Sequence, residues 1–141
     1  MEHNCVDHEL LLRRLQLHQY NFGFTDDVLG WMTSFISGRT QQVSYDGQLS
    51  PNRPIQFGVP QRSVLGALVF VLYIADLNKV IASHGMQLQQ YADDCQICVT
   101  TSVDDAVLAV DRLAGCVADV GAWTSSSWLR LNSSKTQVMW L

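Results

Sequence analysis

Apolar residues recur three or four positions apart along three stretches of the chain, and this spacing predicts amphipathic helices. The first helix is expected over about residues 8–20, with Asp7 as its N-cap. The second is expected between Thr25 and Gly38, with two aspartates in its first turn. The third follows a capping-box pattern at residues 102–105, and its predicted apolar face comprises Val107, Val110, Leu113, Ala114, Val117 and Val120.

A nearly continuous apolar run predicts a fourth, buried helix. Ser63 is suited to cap it, and the apolar pattern continues to about Ala82 through Leu65, Leu68, Leu72, Leu77 and Val80. The most hydrophobic part, residues 64–75, is shorter than the ~20 apolar residues that a membrane span needs. We therefore expect a core helix and no membrane partner.

Two stretches have the alternation and turn residues of β-hairpins. Residues 41–45 are expected to form a strand, and Asp46-Gly47 is a strong signal for the tight turn after it. Residues 86–90 and 97–99 alternate on either side of Tyr91-Ala92-Asp93-Asp94. A second hairpin is therefore expected, with two adjacent carboxylates at its tip.

Two further short strands are expected near the end of the chain. Alternation at residues 129–131 predicts the first, and residues 138–140 predict the second. Asn132 to Ser134 are expected to turn between them, so that Lys135 lies just before the final strand.

The chemistry of this chain is expected to depend on Asp93 and Asp94. Consecutive strand residues face opposite ways, so both carboxylates can approach one cation only where the chain bends, as in a hairpin turn. Two adjacent negative charges repel each other, and a cation offsets that cost. Hard oxygen ligands in this arrangement suit Mg²⁺, which also binds substrate phosphates. The alternative is an ordinary acidic turn, since Asp104-Asp105 is a similar pair that a helix start fully explains.

Composition narrows the functional classes. The 141 residues, 48% apolar and 16% charged, suffice for one domain with a buried core. The net charge of −4 counts against a self-sufficient nucleic-acid binder, which normally has a basic face. Cys95 and Cys98 form a C-x-x-C pair, but their odd spacing on a strand points them to opposite faces, which argues against zinc. With no secretion signal, we expect reduced thiols and an intracellular location in the nucleus or cytoplasm.

Three segments in this order give the chain a family resemblance. They are Gly58-Val59-Pro60-Gln61 with residues 63–66, then Tyr91-Ala92-Asp93-Asp94, then Leu129-Arg130-Leu131-Asn132 with residues 134–136. Together they resemble the reverse transcriptases of non-LTR (LINE-like) retrotransposons. The resemblance covers essentially residues 1–141 and implies an α+β fold, with a polymerase palm-type antiparallel sheet packed on helices. It also implies truncation at both ends, with incomplete fingers and no thumb.

The resemblance implies RNA-directed DNA synthesis, which joins a primer 3′-hydroxyl to an incoming dNTP on an RNA template with two Mg²⁺ ions. Asp93 and Asp94 are the implied metal ligands, Asp93 directly, and Lys135 is the implied general acid toward pyrophosphate. The implied contacts to nucleotide, template and primer end are made by Gln61, Arg62, Ser63, Gly66 and Tyr91.

The chain also departs from the family pattern. Arg62 stands where the family has a glycine that lets nucleic acid approach the backbone. The family's first metal-binding Asp would fall before Met1, so we expect little or no primer extension by this chain alone. The alternative is a non-catalytic remnant with weak or no nucleic-acid binding. A small magnesium phosphohydrolase would use the same carboxylates, but it leaves Gln61 and Lys135 unexplained.

Overall fold

The computed structural model describes residues 6–17, 19–59, 63–91 and 94–140, which form helices and small antiparallel sheets. The helices are α1 (His8–Leu17), α2 (Gln19–Phe22), α3 (Asp26–Ile36), α4 (Val64–Tyr73), α5 (Leu77–Ser83) and α6 (Ala106–Ser126). The paired strands are β1 (Thr40–Gln41) with β4 (Arg53–Pro54), β2 (Ser44–Tyr45) with β3 (Gln48–Leu49), and β5 (Gln87–Tyr91) with β6 (Asp94–Cys98). The expected mixture of helices and antiparallel strands is confirmed at this level.

The first of two hydrophobic cores is built mainly from α1, α3 and α4. Its buried members are Val6, Leu11, Leu15, Met32, Ile36, Val59, Val69, Phe70, Tyr73, Ile74 and Leu129. Asp7 caps α1 as predicted, because its Oδ1 accepts a 2.7 Å hydrogen bond from the Leu10 amide. The helix ends earlier than predicted, at Leu17, and α2 follows as a separate turn before Gly23. His18, between the two helices, lies outside the described residues.

The apolar run after Ser63 forms two helices, so the prediction of one helix to residue 82 is wrong. The chain turns between Tyr73 and Leu77, where the Leu77 amide bonds to the Ile74 carbonyl at 3.0 Å. This bend places Ile74 in the first core and Leu77 in the second. By length and composition, Val64–Ser83 is apolar enough to cross a membrane, but a core helix passes the same test.

The second core lies between α5, α6 and one face of the β5–β6 hairpin. Its buried members are Leu77, Ile81, Met86, Cys116 and Val120, and the partly buried residues packed on them are Val80, Leu88, Cys95, Ile97, Val99, Leu113, Trp123 and Leu131. Burial raises the pKa of the Cys116 thiol, and Asp119 adds to the shift.

The predicted apolar face of α6 is largely wrong. The fully buried positions of this helix are Ala109, Cys116, Val120 and Thr124. Val107 and Val110 instead remain 77% and 45% exposed. The helix has two apolar stripes, and periodicity alone does not tell which one meets α5.

The strands expected after α6 do not form. The helix continues to Ser126 and ends in a Schellman motif, in which Trp128 has a positive φ of 54°. The Leu129 amide bonds back to the Thr124 carbonyl at 2.9 Å. After Leu129 the chain is irregular except for a 3₁₀ turn at Ser133–Lys135. This confirms the prediction that the chain turns there.

The strand predicted at residues 41–45 is interrupted. β1 and β2 lie on either side of a break at residues 42–43, where the Ser50 hydroxyl accepts a 2.9 Å bond from the Val43 amide. The tight turn at Asp46-Gly47 is confirmed, since both residues have positive φ, 49° and 74°.

Gly85 connects α5 to the hairpin and provides a test of this packing. Its φ is +69°, and a Cβ there would lie 2.8 Å from Arg112 Nη2, which donates a 2.6 Å bond to the His84 carbonyl. We expect Gly85→Ala to lower the free energy of unfolding by about 1–2 kcal/mol, measured by urea titration. Gly23→Ala is the matched control, because Gly23 has a φ of +68° and a Cβ added there would meet no atom within 4 Å. Equal losses in both variants would show that only backbone strain is involved.

Candidate active site

The β5–β6 hairpin places one carboxylate at the end where the chain reverses direction, which we call the hairpin tip. Five residue pairs connect the strands, from Gln87 with Cys98 to Tyr91 with Asp94. Asp94 opens the returning strand with an exposed side chain. The two predicted strands are thus confirmed, while Ala92 and Asp93 between them lie outside the described residues and their turn stays a prediction.

The two faces of this hairpin have different surroundings. Leu88, Cys95 and Ile97 face the second core, whereas Tyr91 and Asp94 are on the exposed face. Tyr91 is 85% exposed and takes no part in the core. The alternation also puts Cys95 on the core side and leaves Cys98 exposed. The predicted opposite orientation of these cysteines is therefore confirmed.

In the loop before α4, the structure describes Ser63 at the end of the loop but not residues 60–62. Gln61 and Arg62 lie outside the described residues. Ser63 caps α4 as predicted, since its Oγ accepts a 2.9 Å bond from the Gly66 amide. Gly66 is itself buried, so this capping bond occupies its backbone donor. A nucleotide contact by Ser63 or Gly66 remains a prediction.

Lys135 ends the 3₁₀ turn with an exposed side chain. Asn132 organises this turn: its carbonyl accepts from the Lys135 amide at 3.1 Å and from Thr136 Oγ1 at 3.0 Å. Its side-chain Oδ1 also accepts from Ser134 Oγ at 2.6 Å. Asn132 is therefore a positioning residue that the sequence reasoning did not select, although its place in the Leu-Arg-Leu-Asn segment was a signal for it.

The segment before this turn joins the two cores. Leu129 packs in the first core with Val59, which lies just before the Gln61 loop. Leu131 packs against the second core, as does Cys95, the neighbour of Asp94. The first and third segments that carry the family resemblance therefore share the first core, and the third shares the second core with Cys95, the residue that follows the Tyr91–Asp94 segment.

The donor chemistry at the hairpin tip suits Mg²⁺. Carboxylate oxygens open to water are the ligands this ion prefers, and it keeps several waters and binds phosphates. Within the described ranges, no group of three or more His, Cys, Asp or Glu side chains is close enough to hold a metal. Asp94 supplies one such exposed carboxylate at the tip, and Mg²⁺ ligation by Asp93 and Asp94 remains a prediction.

A cavity of about 450 Å³ lies elsewhere, between the end of α3 and the β1–β4 pair. It is lined by His8, Ile36, Arg39, Gln41, Pro54, Ile55, Gln56, Phe57, Gly58 and Val59. Neither Asp94 nor Lys135 contributes to it.

The sequence also matches known proteins. A family model described as reverse transcriptase (RNA-dependent DNA polymerase) matches residues 4–140. The chain is 30% identical over 109 residues to the probable RNA-directed DNA polymerase from transposon X-element of Drosophila melanogaster, covering 76% of this chain and 12% of that protein. It is 33% identical over 107 residues to the RNA-directed DNA polymerase from mobile element jockey of Drosophila funebris, covering 72% of this chain and 12% of that protein. The chain thus spans about an eighth of the length of these relatives, and the resemblance stated from its motifs is confirmed.

Proposed function

The chain belongs to the reverse transcriptase (RNA-dependent DNA polymerase) family, and from this premise we propose that it is part of the palm of a non-LTR retrotransposon polymerase. In this proposal Asp93 and Asp94 hold Mg²⁺ for the transfer of a nucleotide from dNTP to a primer. The partners are an RNA template, a DNA primer and dNTP, inside the cell. In this proposal the chain also contains part of the fingers, and the rest of the fingers and the thumb belong to other parts of the same polymerase.

In the proposed reaction, the primer 3′-hydroxyl loses its proton to water, its oxygen forms a bond to the α-phosphorus of dNTP, and the bond from that phosphorus to the pyrophosphate oxygen breaks. Bound Mg²⁺ supplies charge that stabilises the attacking and leaving oxygens. Lys135 donates a proton to the departing pyrophosphate. Gln61 and Arg62, with Ser63 at the start of α4, contact the incoming nucleotide and the template base, while Tyr91 contacts the primer end.

The observation that best supports this proposal is the exposed carboxylate at the hairpin tip. An exposed carboxylate on a two-stranded hairpin is held in place because the opposite face of both strands packs on the second core. The site is therefore rigid on one side and open to a large charged substrate on the other. Catalytic groups supported in this way lose little entropy when the substrate binds.

A non-catalytic remnant is the second candidate. The net charge of −4 and the arginine at position 62, where the family motif has glycine, favour it. A remnant would keep the fold and both cores without selective binding of nucleotides. Nucleotide binding by the chain therefore distinguishes the two candidates.

We expect the chain to bind dNTP only in the presence of Mg²⁺, and we expect Asp94→Asn to weaken that binding about tenfold by removing a ligand charge. Isothermal titration with dNTP, with Mg²⁺ and with EDTA, measures the effect. Asp104→Asn is the matched control, because Asp104 is an exposed aspartate at a helix start. It should bind like the wild-type chain.

A second pair of variants tests the proposed role of the Lys135 ammonium group. Lys135→Met should weaken Mg²⁺-dependent dNTP binding, whereas Lys79→Met should not, because Lys79 pairs locally with Asp76 at 2.9 Å. A wild-type chain without any Mg²⁺-dependent binding supports the remnant. Equal affinity in the wild-type chain and Asp94→Asn contradicts the proposed metal site.

A further inference from the structure

Arg14 of α1 connects the ends of two other helices. Its Nη1 donates a 2.7 Å bond to the carbonyl of Tyr73, the last residue of α4. Its Nη2 donates a 2.7 Å bond to Oγ of Ser127, which caps the end of α6. The buried Tyr73 hydroxyl in turn donates to the Ser127 carbonyl at 2.7 Å. With Trp123, these residues form what we call the Arg14 junction.

Two aromatic rings enclose the guanidinium. Its Cζ lies 4.8 Å from the ring centre of Tyr73 and 4.9 Å from that of Trp123. Burial lowers the pKa of Arg14 from its ordinary value, while Tyr73 and Asp76 oppose that shift. The cation also lies beside two helix C-termini, where carbonyl dipoles favour positive charge. A planar group with several donors suits two acceptors at once, which a lysine ammonium does less well.

The junction lies where the two cores meet. Among the described helices, α1 packs on α3 and α4 in the first core, whereas α5 packs on α6 in the second. Trp123 packs against both cores. The Arg14 junction therefore adds directional bonds at this boundary.

The junction also bonds to two elements that lead to site segments. α4 starts directly after the Gln61–Ser63 loop, and its last residue bonds to Arg14. The chain that leaves α6 at Ser127 continues through Leu129 and Leu131 to the Lys135 turn. A shift at the junction would move one of these segments relative to the other.

We propose that Arg14 is a positioning residue that fixes the Lys135 turn, and the hairpin core next to it, relative to the loop at the start of α4. This inference rests on the proposed function for its consequence in substrate binding. Misplacement of a reacting group by about 1 Å can cost about a hundredfold in rate. The arginine contacts no substrate and acts through the two helix ends.

The experiment measures geometry and binding separately. Val64 and Gln137 are both exposed and can each be replaced by an unnatural amino acid that carries a nitroxide. Pulsed electron paramagnetic resonance then measures the distance between the two nitroxides, which reports the distance between the start of α4 and the Lys135 turn. Arg14→Lys keeps the charge but weakens the bridge, and Ser127→Ala removes one acceptor. Arg13→Met is the matched control, because Arg13 is an exposed neighbour on α1 that pairs with Glu9 at 3.7 Å.

We expect a narrow distance distribution in the wild-type chain and in Arg13→Met. In Arg14→Lys and Ser127→Ala the distance distribution should be at least twice as wide. Mg²⁺-dependent dNTP binding should be about tenfold weaker in these variants, and their circular dichroism spectra should be unchanged. An unchanged distribution in both junction variants overturns the inference. A narrow wild-type distribution that widens in these variants, in a chain without dNTP binding, supports the positioning role and contradicts the proposed function instead.

Discussion

Ile97→Asp is expected to lower the free energy of unfolding by about 2–4 kcal/mol, through lost apolar burial and a carboxylate placed against a hydrophobic surface. Ile97 lies on β6, and its side chain packs against the second core. A loss of this size is a large fraction of the stability of a typical domain. Urea unfolding followed by circular dichroism measures it.

The neighbouring residue supplies the control. Gln96 is on the same strand, faces solvent and pairs with Gln89 across the hairpin. Gln96→Asp introduces the same side chain with the same weak strand propensity, so we expect less than about 1 kcal/mol of destabilisation. Similar losses in the two variants would contradict a hairpin that packs on one face only.

Local signals in the sequence were sufficient to predict where several helices begin. Asp7 and Ser63 form their capping bonds, and the side chains of Ser102 and Asp105 bond to each other at 2.7 Å before α6. These interactions span three residues, so short-range chemistry determines them. The strand alternation around residues 91–94 was similarly reliable, because one face of the hairpin is buried.

Features that depend on contacts distant in sequence were not predicted. The bend between Ile74 and Leu77 follows from two separate cores, and a run that is apolar on all sides gives no signal for it. α6 has apolar residues along two of its faces, and packing against α5 buries only one of these faces. The strands expected near residues 130 and 139 find no partner in the described part of the chain. A strand needs a neighbour, and alternation alone does not supply one.

For the candidate site, the order of motifs predicted the family but not the packing that links its parts. Leu129 and Leu131 were expected as alternating residues of one strand, whereas the structure places them in different cores. Arg14 gave no signal either, because an arginine inside an amphipathic helix is usually solvated. Its proposed role is apparent only in the folded chain, where this residue of α1 bonds to the ends of α4 and α6.

The helices between residues 64 and 83 are apolar enough to suit either a core or a membrane. Leu77→Ala is expected to lower the free energy of unfolding by about 2–5 kcal/mol, because Leu77 has no exposed surface and its truncation leaves a cavity in the second core. The change removes packing beneath β5, so fewer amides of the hairpin should resist hydrogen exchange. Urea unfolding and hydrogen exchange measure the two effects.

Leu68→Ala on α4 makes the same chemical change at a side chain that is 45% exposed. We expect a loss of less than about 1 kcal/mol, since little apolar surface is returned to water. If residues 64–83 crossed a membrane, both leucines would contribute to insertion and the chain would partition into lipid vesicles. Strong vesicle binding that both variants weaken equally would contradict a core helix, whereas a large difference in unfolding free energy without vesicle binding would support it.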